Sequence, residues 1–188
     1  MNFLLGGLDG LDQASKAELM ADLMRISQRK NFAKHELLHQ EGKVCKQLFY
    51  VESGLVRAFY YRDGEEITAH FAPEHTMLTA IDSVIQNKAS RYSLEVLEDS
   101  SILSISYPDL KEILLQKPQY EKVLRMYLER IYIDLAERIE DVLFHTAKER
   151  YAKLMKDRPS LLQRVQLKHI ASYLGITQET LSRIRANS

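Results

Sequence analysis

The 188-residue chain has one cysteine, no tryptophan, four prolines, seven glycines and no net charge, its 26 Lys/Arg being matched by 26 Asp/Glu. A lone Cys45 excludes an intramolecular disulfide and any iron–sulfur cluster held by several protein thiolates, and it fits a reducing, cytoplasmic setting. No apolar run approaches the roughly 20 residues of a membrane span. The opening MNFLLGGLDGL is apolar but lacks a basic flank and a small-residue cleavage site, so no targeting signal is expected. What is present suffices for a globular protein: 45% hydrophobic residues can build a core at this length.

The zero net charge hides an asymmetry. From His145 onward there are nine Lys/Arg (148, 150, 153, 156, 158, 164, 168, 183 and 185) against three acids (Glu149, Asp157 and Glu179), a local excess of +6 balanced by −6 elsewhere. A basic tail on an acidic body points to a polyanionic partner for the C-terminal part.

The texture changes along the chain. Ser15 and Glu18 have capping-box spacing ahead of Leu19, Met20, Leu23 and Met24, which predicts a short amphipathic helix. From about Phe32 to Ser106, short β-branched and aromatic runs are cut by turn residues, with Asp63-Gly64 placed for a tight hairpin, which predicts an antiparallel roll. Pro108 suits a first helical turn and Pro118 an end. The stretch from Gln119 to about Phe144 then has neither Gly nor Pro, and Leu124, Leu128, Ile131, Leu135 and Val142 follow one seam until Arg138 interrupts it. The spacing predicts a long helix pairing with a second copy through Leu124, Leu128, Ile131 and Leu135.

The most informative stretch is LKHIASYLGITQETLSRIRA, Leu167 to Ala186. Ile170, Leu174, Ile176, Leu181 and Ile184 have the spacing of two short helices that bury each other. Ala171 permits their close crossing, and Gly175 supplies the left-handed residue that ends the first. Thr177 can cap the second helix, leaving Gln178, Glu179, Ser182, Arg183 and Arg185 on its outer arc. Hydrogen-bonding side chains at a helix N-terminus on a basic flank are what reading a major groove requires.

Taken in order, the chain resembles the bacterial cyclic-AMP receptor protein/fumarate-nitrate regulator family over essentially its whole length. The resemblance rests on Gly42, LFYVESG ending at Gly54, LVR at Leu55 to Arg57, Asp63-Gly64, ERY at Glu149 to Tyr151, and IASYLGITQETLSRI at Ile170 to Ile184. It implies an α+β protein with three parts: a cyclic-nucleotide-binding-like sensor roll at 1–118, a dimerisation helix at 119–145, and a helix-turn-helix (winged-helix-like) DNA-binding domain at 146–188. By position it implies Gln178, Glu179 and Arg183 as base readers and Lys168, His169, Thr177, Ser182 and Arg185 as phosphate contacts. The implied partners are a near-palindromic DNA duplex, a second copy of the chain, RNA polymerase and a small effector; no membrane partner and no catalytic residues are expected.

The roll departs from the cyclic-nucleotide binders of that family, which hold ribose with Gly-Glu and phosphate with Arg-Ser/Thr. Those pairs fall here near Leu78-Thr79 and Ala89-Ser90, and Arg91 is one residue out of place, on the opposite strand face. Thr79, Ser90 and Arg91 are therefore candidates for an effector pocket of another kind. Cyclic AMP is not expected to bind, no cofactor is implied, and the effector stays unidentified. Two rivals remain. The first is an effector-independent dimeric DNA binder. The second is a cupin-like metal enzyme, since GEEITAH, Gly64 to His70, resembles that family's first motif with Glu74 and His75 nearby. Ala72 replaces its second histidine and no second motif follows, so no metal site is expected.

Overall fold

A computed structural model describes residues 12–186. The N-terminal stretch read above for targeting signals lies outside the described residues. Helix α1 (Gln13–Arg25) starts earlier than the Ser15/Glu18 spacing predicts: Asp12 is the cap, accepting from the Ser15 amide at 2.7 Å. Glu18 instead accepts from Lys117 Nζ at 2.7 Å, beside Asp22 at 2.5 Å, which ties α1 to the helices after the roll.

Among the described residues the roll has eight strands: β1 (Ser27–Phe32), β2 (Leu37–His39), β3 (Gln47–Ser53), β4 (Val56–Arg62), β5 (Glu65–Ala72), β6 (Met77–Leu78), β7 (Ser93–Val96) and β8 (Ser100–Ser106), with a short helix α2 (Ile81–Gln86) between β6 and β7. They form two antiparallel four-stranded sheets ordered β1-β8-β3-β6 and β2-β7-β4-β5. Asp63 and Gly64 both have positive φ, 54° and 83°, as a two-residue turn between β4 and β5 demands. Phe49, Val51, Val56, Ala58, Leu94, Val96 and Ile102 are in the buried core that fills the space between the sheets. At Gly54, φ is 99° and a Cβ would fall 1.9 Å from Ser100 Oγ, so only glycine fits there.

One edge of the second sheet carries the functional argument. Among the described residues β5 pairs only with β4, and the register slips between Ala58↔His70 and Phe59↔Thr68, leaving Ala69 as an extra, bulged residue.

After β8, Ser106 caps α3 (Tyr107–Gln116), with Pro108 in its first turn. A 3-10 turn (Pro118–Tyr120) leads into α4 (Glu121–Phe144), whose 24 residues span about 36 Å. The C-terminal unit comprises α5 (Ala147–Asp157), α6 (Leu161–Arg164), α7 (Leu167–Leu174) and α8 (Gln178–Ala186), with no strand after Ser106 among the described residues. Thr146 and Glu149 form a reciprocal capping box that starts α5. This unit does not hang free. Leu55, Phe71 and Leu97 of the roll share one buried cluster with Tyr151, Leu154, Leu161, Ile170, Leu174 and Leu181.

Candidate nucleic-acid interface

The helix pair α7–α8 forms as its spacing predicts. Gly175 adopts φ 68°, ψ 36° after α7, and the Ile176 amide donates back to Ala171 O at 3.0 Å, which closes the first helix and turns the chain. Thr177 Oγ1 then accepts from the Thr180 amide at 3.2 Å, capping α8. Ile170, Ala171, Leu174 and Leu181 are buried, with Ile176 and Ile184 packed against them. The opposite arc of α8 faces solvent: Gln178, Glu179, Ser182, Arg183 and Arg185 are all exposed.

This arc keeps its charges available. Among the described residues Arg183 makes no ion pair within 4 Å, so the pairing with Glu179 that could have consumed it does not occur. Hydrogen bonds from its own backbone N–H and from Thr177, with the Arg183 charge, hold the Glu179 carboxyl below its usual range, as an acceptor.

The basic excess divides in two. Arg164 binds Glu74 at 2.6 Å and Glu98 at 2.5 Å on the roll, Lys153 binds Asp141 at 2.8 Å on α4, and Arg150 donates to the Leu174 and His145 carbonyls. Those cations hold the unit in place. Lys148, Lys156, Lys168, Arg183 and Arg185 stay exposed. Lys148 was not singled out from the sequence, yet it lines one shallow depression with Thr180, Arg183 and Ile184. Its signal was its charge, but 35 positions separate it from Arg183 and only the folded unit brings the two together.

His169 is a correction. Expected at a phosphate, it is only 5% exposed, and its Nδ1 accepts from Arg57 Nη1 of β4 at 2.8 Å. Burial, then the neighbouring guanidinium, pushes its imidazole down to about 4, so the ring is neutral and faces protein rather than solvent. Arg57 itself is buried and donates to Glu95 at 2.6 Å and Glu66 at 2.5 Å, while stacking on Phe59 at 4.1 Å. Beside it, the Ser172 hydroxyl of α7 donates to Glu66 O at 3.0 Å and accepts from the Thr68 amide at 2.8 Å.

α4 supplies a second surface. Leu124 is half-buried, whereas Leu128 (50%), Ile131 (38%) and Leu135 (56%) lie open. At 100° per residue, Tyr132, Ile139 and Val142 fall on the same face and are likewise exposed, so the apolar stripe continues past Arg138. Arg138 lies off this stripe: its guanidinium stacks 3.9 Å from the Tyr173 ring centre and donates to the Tyr173 carbonyl.

The comparisons agree with this layout. The cyclic nucleotide-binding domain family matches residues 29–117. The chain is 27% identical over 153 residues to the anaerobic regulatory protein of Bacillus subtilis, covering 79% of this chain and 62% of that protein. It is 28% identical over 165 residues to the transcriptional activator protein Anr of Pseudomonas aeruginosa, covering 80% and 66%. The solved structure of the c-di-GMP responsive global regulator CLP of Xanthomonas campestris has the same fold, with a TM-score of 0.73 at 16% identity over 91% of this chain and 90% of that one. The domain match covers less than half of the chain, and the curated proteins to which the chain is similar are regulatory proteins. The chain spans less than two thirds of the length of these two curated relatives.

The candidate effector residues are engaged with the protein itself. Thr79 Oγ1 donates to Gln47 O at 2.8 Å, and buried Ser90 donates to Asp82 at 2.8 Å. Arg91 is exposed, its guanidinium 4.9 Å from the Tyr92 ring centre and 5.5 Å from that of Tyr60. The Asp82 carboxylate sits in the first turn of α2 and accepts from the Ser83 and Arg91 amides as well. Burial alone would raise Asp82, but these hydrogen bonds hold it below its usual range, and a fixed negative charge opposes a phosphate there. The cupin-type residues disperse: His70 is exposed opposite Ala58, Glu74 binds Arg164, and His75 lies 3.2 Å from Tyr50 OH. Among the described residues no three His, Cys, Asp or Glu gather as a metal site, and no helix is long and apolar enough to cross a membrane.

Proposed function

We propose that the protein is a cytoplasmic homodimeric transcription regulator that reads a near-palindromic DNA duplex with α8 and responds to a small effector other than cyclic AMP. The observation that carries this reading is the exposed arc of Gln178, Glu179, Ser182, Arg183 and Arg185 on a capped helix whose other face is fully committed to the core. Gln178, Glu179 and Arg183 are the base readers. Arg183 can donate two hydrogen bonds to guanine O6 and N7, and Glu179 can accept from a cytosine amino group. Lys168, Ser182, Arg185 and Lys148 contact phosphates, and Thr177 does so beside its capping role.

The names of the B. subtilis and P. aeruginosa relatives, a regulatory protein and a transcriptional activator, support the same class and give no support to an enzyme. Three parts carry the work: the roll to residue 118 as sensor, the helix to about 145 as dimer seam, and the remainder as DNA reader. The seam is Leu124, Leu128, Ile131 and Leu135, extended by Tyr132, Ile139 and Val142. RNA polymerase is the partner through which such a regulator would act. The apolar roll interior and the self-satisfied Thr79 and Ser90 favour an effector chemically unlike a cyclic phosphate, with exposed Arg91 as the remaining candidate contact.

Selection of duplexes from a random pool by the purified protein tests this reading. The expected product is a two-fold sequence with half-sites one helical turn apart, about 34 Å. Retention of duplexes without sequence enrichment would leave only a general polyanion binder.

A further inference from the structure

We infer that the contact between strand β5 and helix α7 is the bearing that sets the separation of the two recognition helices, with Arg57 and Ser172 as positioning residues for DNA reading. The inference rests on the proposed DNA-reading function and adds to it the part of the molecule that fixes operator spacing.

The chain passes from α4 into the C-terminal unit through His145 and Thr146, both in extended conformation, φ −102°, ψ 141° and φ −67°, ψ 161°, and α4 also holds the unit through Asp141–Lys153 and through Arg138 on Tyr173. Two extended residues can act as a hinge, so the unit's orientation depends on non-covalent contacts, among them Arg164 on Glu74 and Glu98 of the roll. Of these contacts, those made directly on a helix of the α7–α8 pair from the roll sheet are supplied by β5, and by β4 beside it. As an edge strand, β5 carries backbone groups that β4 cannot satisfy, a hazard that folds relieve by covering the edge. The Glu66 carbonyl and the Thr68 amide, two residues apart, point the same way, and one residue of a further strand would satisfy both. The Ser172 hydroxyl takes that place, accepting from Thr68 N and donating to Glu66 O.

Arg57 fixes the same junction from the neighbouring strand. Its guanidinium fans out to Glu95 on β7, Glu66 on β5 and His169 on α7, so one buried cation joins three elements, two in the roll and one in the DNA reader. A planar fork with fixed donor directions sets angles as well as distances, which a lysine cannot do. None of these contacts covers the outer arc of α8, so the bearing is compatible with a bound duplex. Val56 and Ala58, on either side of Arg57, are in the roll core, so the bearing is built on the wall of the sensor interior.

The test is binding of full-length wild type, Ser172→Ala and Arg57→Gln to duplexes carrying the selected half-sites at several spacings, and to a single half-site. Wild type is expected to discriminate the preferred spacing from its neighbours by about tenfold or more. Both variants should flatten that preference to under about threefold while binding the single half-site as wild type does, the scale of loss that removing buried hydrogen bonds allows. Ser172→Ala removes one exposed-edge hydroxyl, so it answers the question should Arg57→Gln fail to fold. Variants that keep the wild-type spacing profile overturn the inference alone. A wild-type protein that selects no duplex overturns the DNA-reading function and the inference with it.

Discussion

Helices α7 and α8 are nearly equal in length and adjacent in sequence, yet they face opposite environments. In α7, His169, Ile170, Ala171, Tyr173 and Leu174 are buried, because the roll covers one side and α8 the other. In α8 only Leu181 is buried. Apart from exposed Lys168, the first helix has turned its polar side chains to the roll, His169 to Arg57 and Ser172 to the β5 edge. The second has spent Thr177, just before its start, and Thr180 on its cap, and leaves Gln178, Glu179, Ser182, Arg183 and Arg185 exposed. The pair thus divides its labour, burial marking the supporting helix and exposure marking the one proposed as reader.

The largest effect on this division should come from outside it. Leu128→Asp with Leu135→Asp removes two leucines from the α4 stripe, each contributing on the order of 2 kcal/mol on burial, and places charges there. Sedimentation should then show a monomer, with half-site recognition left on a single copy. A stable dimer would move the seam elsewhere.

Within the helix pair, Leu181→Ala should cost about 2 to 5 kcal/mol in thermal or denaturant unfolding, since that side chain is fully buried. Ser182→Ala, one residue on and exposed, should stay within about 0.5 kcal/mol. Equal losses at both positions would erase the contrast between core and arc.

Acidification should separate the two helices again. Undocked, His169 returns toward its ordinary value of 6.5, whereas docked it is held at about 4, so the undocked form binds more protons between those values. The α7–roll contact is therefore complete above about pH 6.5 and weakens as pH falls toward 4. At pH 5 the loss is about 2 kcal/mol, from ~1.4 kcal/mol per unit over about 1.5 units. The groups facing His169 are Arg57 on β4, Glu66 on β5, Glu95 on β7 and Lys168 beside it on α7. Burial would raise Glu66, but its bond to Arg57 and nearby positive charges hold it low, so its protonation acts in the same direction in more acid solution. Amide exchange at Thr68 reads the opening, and protection unchanged from pH 7.5 to 5 would contradict it.

The smallest effect sharpens the comparison between neighbours on α7. Lys168→Ala should lower the slope of log affinity against log salt by about one counterion per subunit. His169→Ala should leave that slope unchanged, because His169 is buried against Arg57. Salt titrations with equal slopes for the two variants would return His169 to the phosphate surface.

Local chemistry was legible before the fold was known. Asp63-Gly64 and Gly175 announce positive φ, and Pro108 announces a first turn, because each depends on neighbours in sequence alone. The α8 arc and the α4 stripe follow from helical periodicity. What stayed hidden depends on residues far apart. Nothing near His169 says that Arg57, 112 positions earlier, will bury it. Arg138 looked like a break in the seam because its destination, Tyr173, lies 35 positions later. Lys148 looked like one more surface charge until the fold set it beside Arg183. In the candidate site, the reading face was visible as a pattern and the docking face was not, because docking is decided by the partner surface.

The central claim, that α8 reads bases through Arg183, is tested most directly by repeating the duplex selection with Arg183→Ala. The account predicts that this variant still dimerises and binds, loses about 1 to 3 kcal/mol on the selected site, and relaxes its preference at one position in each half-site. An unchanged sequence preference in the Arg183→Ala selection would contradict it.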